Sequence, residues 1–233
     1  MNIHPIEPLL VVGDIHGKYD ILCKVLDHAN NLNIKTIFSG DVIDRGPDSL
    51  KCLQAIGKFR KDHPNTELCL GNHEQMMFLA LSDTGYKEYA NSIWLYNGGS
   101  WSINNHDNIN QTLTEYDLVI DRWSNYYQSG DVIIVHGGIP YGINKKAVYR
   151  FLKNSKTNIP LNDRESENHW AWIRSRFLMG DTPMKGHYII HGHSAFEFTG
   201  TPKDGRCNID ASHKRGIGIA LVESGSIQLS IYS

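Results

Sequence analysis

Short, wholly apolar runs that stop at glycine set the rhythm of this chain. Leu9-Leu10-Val11-Val12 stops at Gly13, Thr36-Ile37-Phe38 leads through Ser39 to Gly40, and Glu67-Leu68-Cys69-Leu70 stops at Gly71. Runs this short, with no polar alternation, predict strands covered on both faces. Between the first two, Ile21, Leu22, Val25, Leu26 and Ala29 recur at helical spacing, which predicts a helix over Tyr19 to Leu32. Pro47 and Asp48 open a second helix whose apolar face is Leu50, Leu53, Ile56 and Phe59, and His63-Pro64-Asn65 breaks it. Strand, loop and helix thus alternate three times, the pattern of an α/β sheet.

From about residue 75 to residue 130 the pattern changes. Helix formers and aromatics dominate (Trp94, Tyr96, Trp101, Trp123, Tyr126, Tyr127), broken at Asn97-Gly98-Gly99. The stretch up to Gln128 reads as a mostly helical insertion whose aromatics belong to the core more than to a cleft. Val132-Ile133-Ile134-Val135 resumes the sheet and delivers His136-Gly137-Gly138. Residues 154–168 are polar and read as a surface excursion, and Trp170 to Phe177 predicts a helix carrying Arg174 and Arg176. Tyr188-Ile189-Ile190 is a further buried strand leading to His191-Gly192-His193. Strands follow over Cys207 to Ile209, Ile217 to Val222 and Ile227 to Ile231, the last two turned by Glu223-Ser224-Gly225-Ser226. No repeat, low-complexity tract or linker divides the chain, so residues 1–233 read as one domain with a helical insertion.

Composition narrows the class without naming a function. A 40% hydrophobic, 21% charged chain of 233 residues suffices for a substantial core. A net charge of −2 offers no electrostatic reason for a nucleic-acid or membrane partner. Cys23, Cys52, Cys69 and Cys207 show no paired spacing and read as buried thiols of a reducing compartment. With no basic patch followed by a long apolar stretch at the N-terminus, the expected location is the cytoplasm.

The chemistry lies just beyond the strands. Gly40-Asp41-Val42-Ile43-Asp44-Arg45-Gly46 sets two carboxylates and a guanidinium at the mouth of an apolar run, where they suit cations and an anion held together. Asp14 and His16, Asp41, Asn72, His136, and His191 or His193 likewise follow strand-like runs. Any one of these motifs is a common turn. Their coincidence at strand carboxyl ends, where α/β sheets place ligands, points to a single site. Oxygen ligands mixed with imidazoles suit manganese, iron or zinc and not a calcium loop. With Asp41 as a bridge, Asp14, His16 and Asp41 hold one metal. Asp41, Asn72, His136 and His193 would hold a second. Two metals about 3.5–4 Å apart acidify a shared water and clamp both oxygens of an in-line displacement at phosphorus.

Gly13-Asp14-Ile15-His16-Gly17, the Gly40 to Gly46 motif, Gly71-Asn72-His73-Glu74, His136-Gly137-Gly138 and Gly192-His193 together resemble the signature of the phosphoprotein phosphatase (PPP) family. Asn72-His73-Glu74-Gln75-Met76-Met77 and Asn97-Gly98-Gly99-Ser100-Trp101 resemble its compact bacteriophage and bacterial branch. The resemblance runs from about Val11 to Ala211 and is weakest from Pro140 to Asn168. It implies an α/β (α+β), calcineurin-like metallophosphoesterase fold: a central β-sandwich flanked by helices, with a two-metal site at the strand carboxyl ends. It implies Asp14, His16, Asp41, Asn72, His136 and His193 as ligands, manganese being the leading metal, and it leaves His191 without an assigned role. It further implies His73 as the general acid held by Asp44, and Arg45 as a phosphate clamp. Arg174 is the second clamp, with Arg176 as its rival. No regulatory subunit is implied.

The expected activity is hydrolysis of phosphoserine and phosphothreonine in proteins, with phosphotyrosine or small phosphoesters as further substrates. The alternative is cleavage of a bis(5′-nucleosyl) tetraphosphate, for which aromatics between Trp94 and Tyr127 offer stacking surfaces. A non-catalytic phosphate-binding scaffold is disfavoured, because His73, Asp44 and Arg45 are all present.

Overall fold

Two β-sheets lie against one another with helices packed on their outer faces in the computed structural model, which describes residues 3–82, 87–180, 184–195 and 205–233. The chain runs β1 (Leu9–Val12), α1 (Tyr19–Leu32), β2 (Lys35–Phe38), α2 (Ser49–Asp62) and β3 (Glu67–Cys69), with these strands paired in parallel. Four helices follow: α3 (Asn72–Leu81), α4 (Lys87–Tyr96), α5 (Ser100–Asn104) and α6 (His106–Glu115). Then come β4 (Trp123–Ser124), β5 (Tyr126–Ser129), β6 (Val132–Val135), α7 (Lys145–Leu152), α8 (Asp163–Ser166), α9 (Ser175–Leu178), β7 (Tyr188–His191), β8 (Arg206–Asn208), β9 (Ile217–Glu223) and β10 (Ser226–Tyr232). The six-stranded sheet has the order β10-β9-β1-β2-β3-β4 and the four-stranded sheet β5-β6-β7-β8.

The apolar runs carry no polar alternation because each strand is covered twice. Leu9 and Val11 join Ile37, Cys69, Val132, Ile134 and Ile190 in a core between the sheets. Their neighbours Leu10 and Val12 point the other way, onto Leu22, Val25, Leu53 and Ile56 of α1 and α2. Ile133 and Val135 likewise turn outward to a larger cluster that includes Trp170 and Phe177. Side chains alternate with period two, so a strand buried on both faces is apolar throughout. Among the described residues no helix is long and apolar enough to cross a membrane.

Two local expectations are corrected. The helical insertion stops at Glu115; Trp123 pairs with Leu68 as an edge strand, and Tyr126 to Ser129 pair with β6 of the other sheet. Aromatic residues suit that half-covered pleated surface, and the chain passes from one sheet to the other at Asn125. The helix expected over Trp170 to Phe177 is reduced to Ser175–Leu178. The Trp170 carbonyl is taken by the Gly137 and Gly138 amides at 2.9 and 3.2 Å, so it does not serve a helical ladder.

Candidate active site

Strand ends from both sheets converge on one edge. Asp14 and His16 follow β1, Asp41 and Asp44 follow β2, and Asn72, His73 and Glu74 form the first turn of α3 after β3. From the other sheet come His136 after β6, His193 after β7 and Asp210 after β8. All ten side chains are buried, whereas Arg45 and Arg174 are exposed at the rim.

Backbone conformation is sacrificed to aim these groups. His16, Asp41, Asp44, Arg45 and His193 have φ of 48°, 55°, 71°, 62° and 66°. Left-handed backbone is unfavourable by roughly 1–2 kcal/mol per non-glycine residue, so the surroundings must impose it. Two glycines let the turns close in. A Cβ on Gly71 would lie 2.2 Å from Asp41 Oδ1, and one on Gly192 would lie 2.1 Å from Asp14 Oδ1.

A hydrogen-bond scaffold then orders the loops. The Asp41 carbonyl accepts from the Ile15 and His16 amides, both at 2.9 Å. Glu74 accepts from the amides of Asp41 and Val42 at 2.8 Å and of Gly71 at 3.1 Å, fastening the β2 loop to the start of α3. His16 donates Nδ1–H to the Ile43 carbonyl at 3.0 Å, which turns its Nε2 lone pair toward the centre. There Nε2 lies 3.6 Å from Asp41 and 3.8 Å from Asp14, and accepts from the Arg45 guanidinium at 2.8 Å. His136 donates Nδ1–H to the Ser39 carbonyl and sets Nε2 3.1 Å from Asn72 Oδ1 and 3.2 Å from Asp41 Oδ1. His193 gives its amide to both Asp14 oxygens and turns Nε2 to the Trp172 carbonyl. His73 meets Asp44 through Nδ1 at 2.6 Å, while its buried Nε2 has no hydrogen-bond partner among the described residues.

The electrostatics describe a place that draws positive charge. Burial, with Asp210 and Asp41 nearby, pushes the Asp14 carboxyl well above its usual range. Burial works the same way on Asp41, but His136, His73 and His16 outweigh it and hold that carboxyl well below. Burial pulls His136 down, yet Asp41 overcomes it and lifts the imidazole to about 9. Burial keeps His16 and His193 well below the usual histidine range, hence neutral and able to ligate.

These residues fit a pair of divalent cations. Ligand atoms of His16, Asp41 and His73 lie within 4.8 Å of one another, and so do those of Asp41, His136 and His193. Asp41 is common to both groups, the position of a bridging carboxylate, and Asn72 lies on the His136 side. A buried, repelled Asp14 and an orphaned His73 Nε2 are what a cationic centre and a substrate would satisfy.

Apart from His191, the alternative to His193, every candidate ligand and acid–base residue singled out from sequence falls within this cluster. Arg174 donates to the His193 carbonyl at 3.2 Å. Arg176 turns away to Asn168 and Glu167. His191 lies behind the centre, edge-on to Phe177 with ring centroids 4.8 Å apart. Sequence reasoning missed four contributors, the Ser102 hydroxyl on Asp44 Oδ1 among them. Asp210, whose charge lies near Asp14, stands one residue past a predicted strand, the signal that found the candidate ligands. Glu74 has the spacing of a capping residue, three positions after Gly71. Trp94 is fully buried, as its place among the core aromatics implies, but its indole Nε1–H donates to Asp44 at 2.5 Å.

A family model described as calcineurin-like phosphoesterase matches residues 7–211. The chain is 29% identical over 223 residues to serine/threonine-protein phosphatase 2 of Escherichia coli K12, covering 88% of this chain and 93% of that protein. It is 45% identical over 71 residues to the symmetrical bis(5′-nucleosyl)-tetraphosphatase of Wigglesworthia glossinidia brevipalpis, over 30% of this chain and 25% of that protein. Among solved structures, a protein serine/threonine phosphatase of Saccharomyces cerevisiae superposes with a TM-score of 0.56 at 17% identity, covering 98% of this chain and 80% of that one.

Proposed function

The chain belongs to the calcineurin-like phosphoesterase family, and from that premise we propose that it is a two-metal protein phosphatase acting on phosphoserine and phosphothreonine. The observation that carries the reading is the His73 dyad. A buried imidazole is fixed by Asp44 at Nδ1, and its unpartnered Nε2 lies 3.9 Å from the Asp41 carboxylate shared by both candidate metal groups.

Asp14, His16, Asp41, Asn72, His136 and His193 would hold the cations, manganese being our choice for this mixed oxygen and imidazole set. Bound there, the metals supply an acidified water and positive charge for the phosphoryl oxygens. The side chains do the rest. Arg45 and Arg174, exposed at the rim, offer planar forks to two phosphoryl oxygens. His73, protonated on both nitrogens, gives the Nε2 proton to the departing serine or threonine oxygen, and Asp44 stabilises the imidazolium until it does so. The imidazole is then neutral, with its remaining proton on Nδ1 facing Asp44.

Similarity to the E. coli phosphatase along nearly its whole length favours a protein substrate. A second reading, hydrolysis of dinucleoside polyphosphates, draws on the shorter match to the tetraphosphatase and on Tyr96, which is 91% exposed and free to stack on a base. Trp94 and Trp123 are fully buried and offer no stacking face.

The experiment is phosphate release by metal-free protein given manganese, with a phosphoserine peptide, para-nitrophenyl phosphate and diadenosine tetraphosphate in parallel. Fast manganese-dependent release from the peptide is expected. Rapid cleavage of the dinucleotide with a sluggish peptide would overturn the protein-phosphatase reading and establish the second.

A further inference from the structure

Among the described residues the Asp44 carboxylate accepts from three side chains, of which only His73 is placed to meet the leaving group. Trp94 Nε1–H shares Oδ2 with His73, and the Ser102 hydroxyl donates to Oδ1. Both extra donors are fully buried, and they come from different helices, α4 and α5, joined through Asn97-Gly98-Gly99. That turn is shaped around the dyad. A Cβ on Gly99 would strike the Trp94 indole at 2.3 Å, so the absence of a side chain there makes room for the ring. The Gly98 carbonyl accepts from the Arg45 amide at 3.4 Å, and the α-carbon of Gly98 faces the Arg45 stem. Asp44 and Arg45, two consecutive left-handed residues, are thus held from one side by the α4–turn–α5 unit.

A carboxylate bound only to an imidazole can rotate about χ2 and carry the ring with it. One gripped at both oxygens by a rigid indole and a buried hydroxyl cannot. We propose that Trp94 and Ser102 are positioning residues for leaving-group protonation, acting through Asp44 to keep His73 Nε2 on the departing oxygen. The proposal rests on the reading of His73 as the acid. It gives the insertion a function that a purely structural helical hairpin would not have.

The test compares an alkyl leaving group (the phosphoserine peptide) with an aryl one (para-nitrophenyl phosphate), whose departure needs little protonation. In the manganese-loaded enzyme, His73→Asn should lower kcat on the peptide far more than on the aryl ester. Ser102→Ala should shift the ratio in the same direction, by about tenfold with KM nearly unchanged, as expected for one hydrogen bond to a charged group. Ser102→Thr, which keeps the hydroxyl, should restore the ratio. Placed on the His73→Asn background, Ser102→Ala should have no further effect on it. Trp94→Phe should behave like Ser102→Ala if it folds, and the serine variants decide the matter if it does not. Nitrogen NMR of the metal-free protein gives a readout apart from turnover: the hydrogen-bonded Nδ1 proton of His73 should shift in Ser102→Ala. Equal loss on both esters in Ser102→Ala, or an additional shift in the ratio in the double variant, would overturn the proposal while leaving His73 as the acid. Equal loss on both esters in His73→Asn would overturn the acid reading itself, and this proposal with it.

Discussion

At the scale of single residues, burying an imidazole ties stability to pH. His191 is fully enclosed beside Phe177, and burial pushes its imidazole down to about 3; His169, also buried, is pushed down to about 4. In the unfolded chain both take up a proton near 6.5. As pH falls through that value the unfolded state gains protons that the native state refuses, so stability declines until the native pKa is reached. By about pH 5 each contributes a loss of about 2 kcal/mol. Replacing His191 with Gln should therefore flatten the fall of unfolding free energy between about pH 6.5 and pH 4, read by denaturant titration. An unchanged slope would mean that His191 already titrates normally in the native state. Which histidine of His191-Gly192-His193 faces the centre could be read from the motif, but the enclosure of the other could not. Enclosure depends on Phe177, which lies fourteen residues away in sequence.

At the scale of elements, the turns after the strands are the functional parts, and glycine acts in them in two distinct ways. Gly192 needs no unusual φ, but a Cβ there would collide with Asp14. Gly225, in the β9–β10 turn, has φ 84° and open space around it. Gly192→Ala should displace Asp14 and weaken manganese binding at least tenfold by calorimetry. Gly225→Ala should leave metal affinity unchanged and lower stability by about 1 kcal/mol. Equal metal affinity in the two variants would contradict this division. Strands, α1 and the β9–β10 hairpin were legible from apolar runs and spacing, because their own residues determine them. The helix over Trp170 to Phe177 and the strands after residue 120 were not. There the outcome rests on distant partners: Gly137 and Gly138 on the Trp170 carbonyl, Leu68 on Trp123, and β6 on Tyr126 to Ser129.

Across the whole molecule, the candidate centre is a seam. Asp14, His16, Asp41 and Asn72 come from the six-stranded sheet, His136 and His193 from the four-stranded one, so a cation bound between them ties the two sheets together. Manganese at a hundredfold over its dissociation constant should stabilise the metal-free protein by about 2.7 kcal/mol. That corresponds to a rise in Tm of roughly 5–10 °C for a chain of this size. Because burial and its carboxylate neighbours hold Asp14 protonated to unusually high pH, binding should also release protons, fewer of them in Asp14→Asn. Calorimetry in buffers of different ionisation enthalpy measures that release. An absent shift in Tm on adding manganese would rule out a manganese centre at this seam. The sequence by itself determined the strand–loop–helix alternation, the candidate ligand types and their place beyond the strands, since each of these depends on neighbouring residues along the chain. Only the tertiary structure decided that two sheets share the site, that Asp210 and Glu74 join it, and that Trp94 and Ser102 hold Asp44. Those contacts link residues that are close only once the chain has folded.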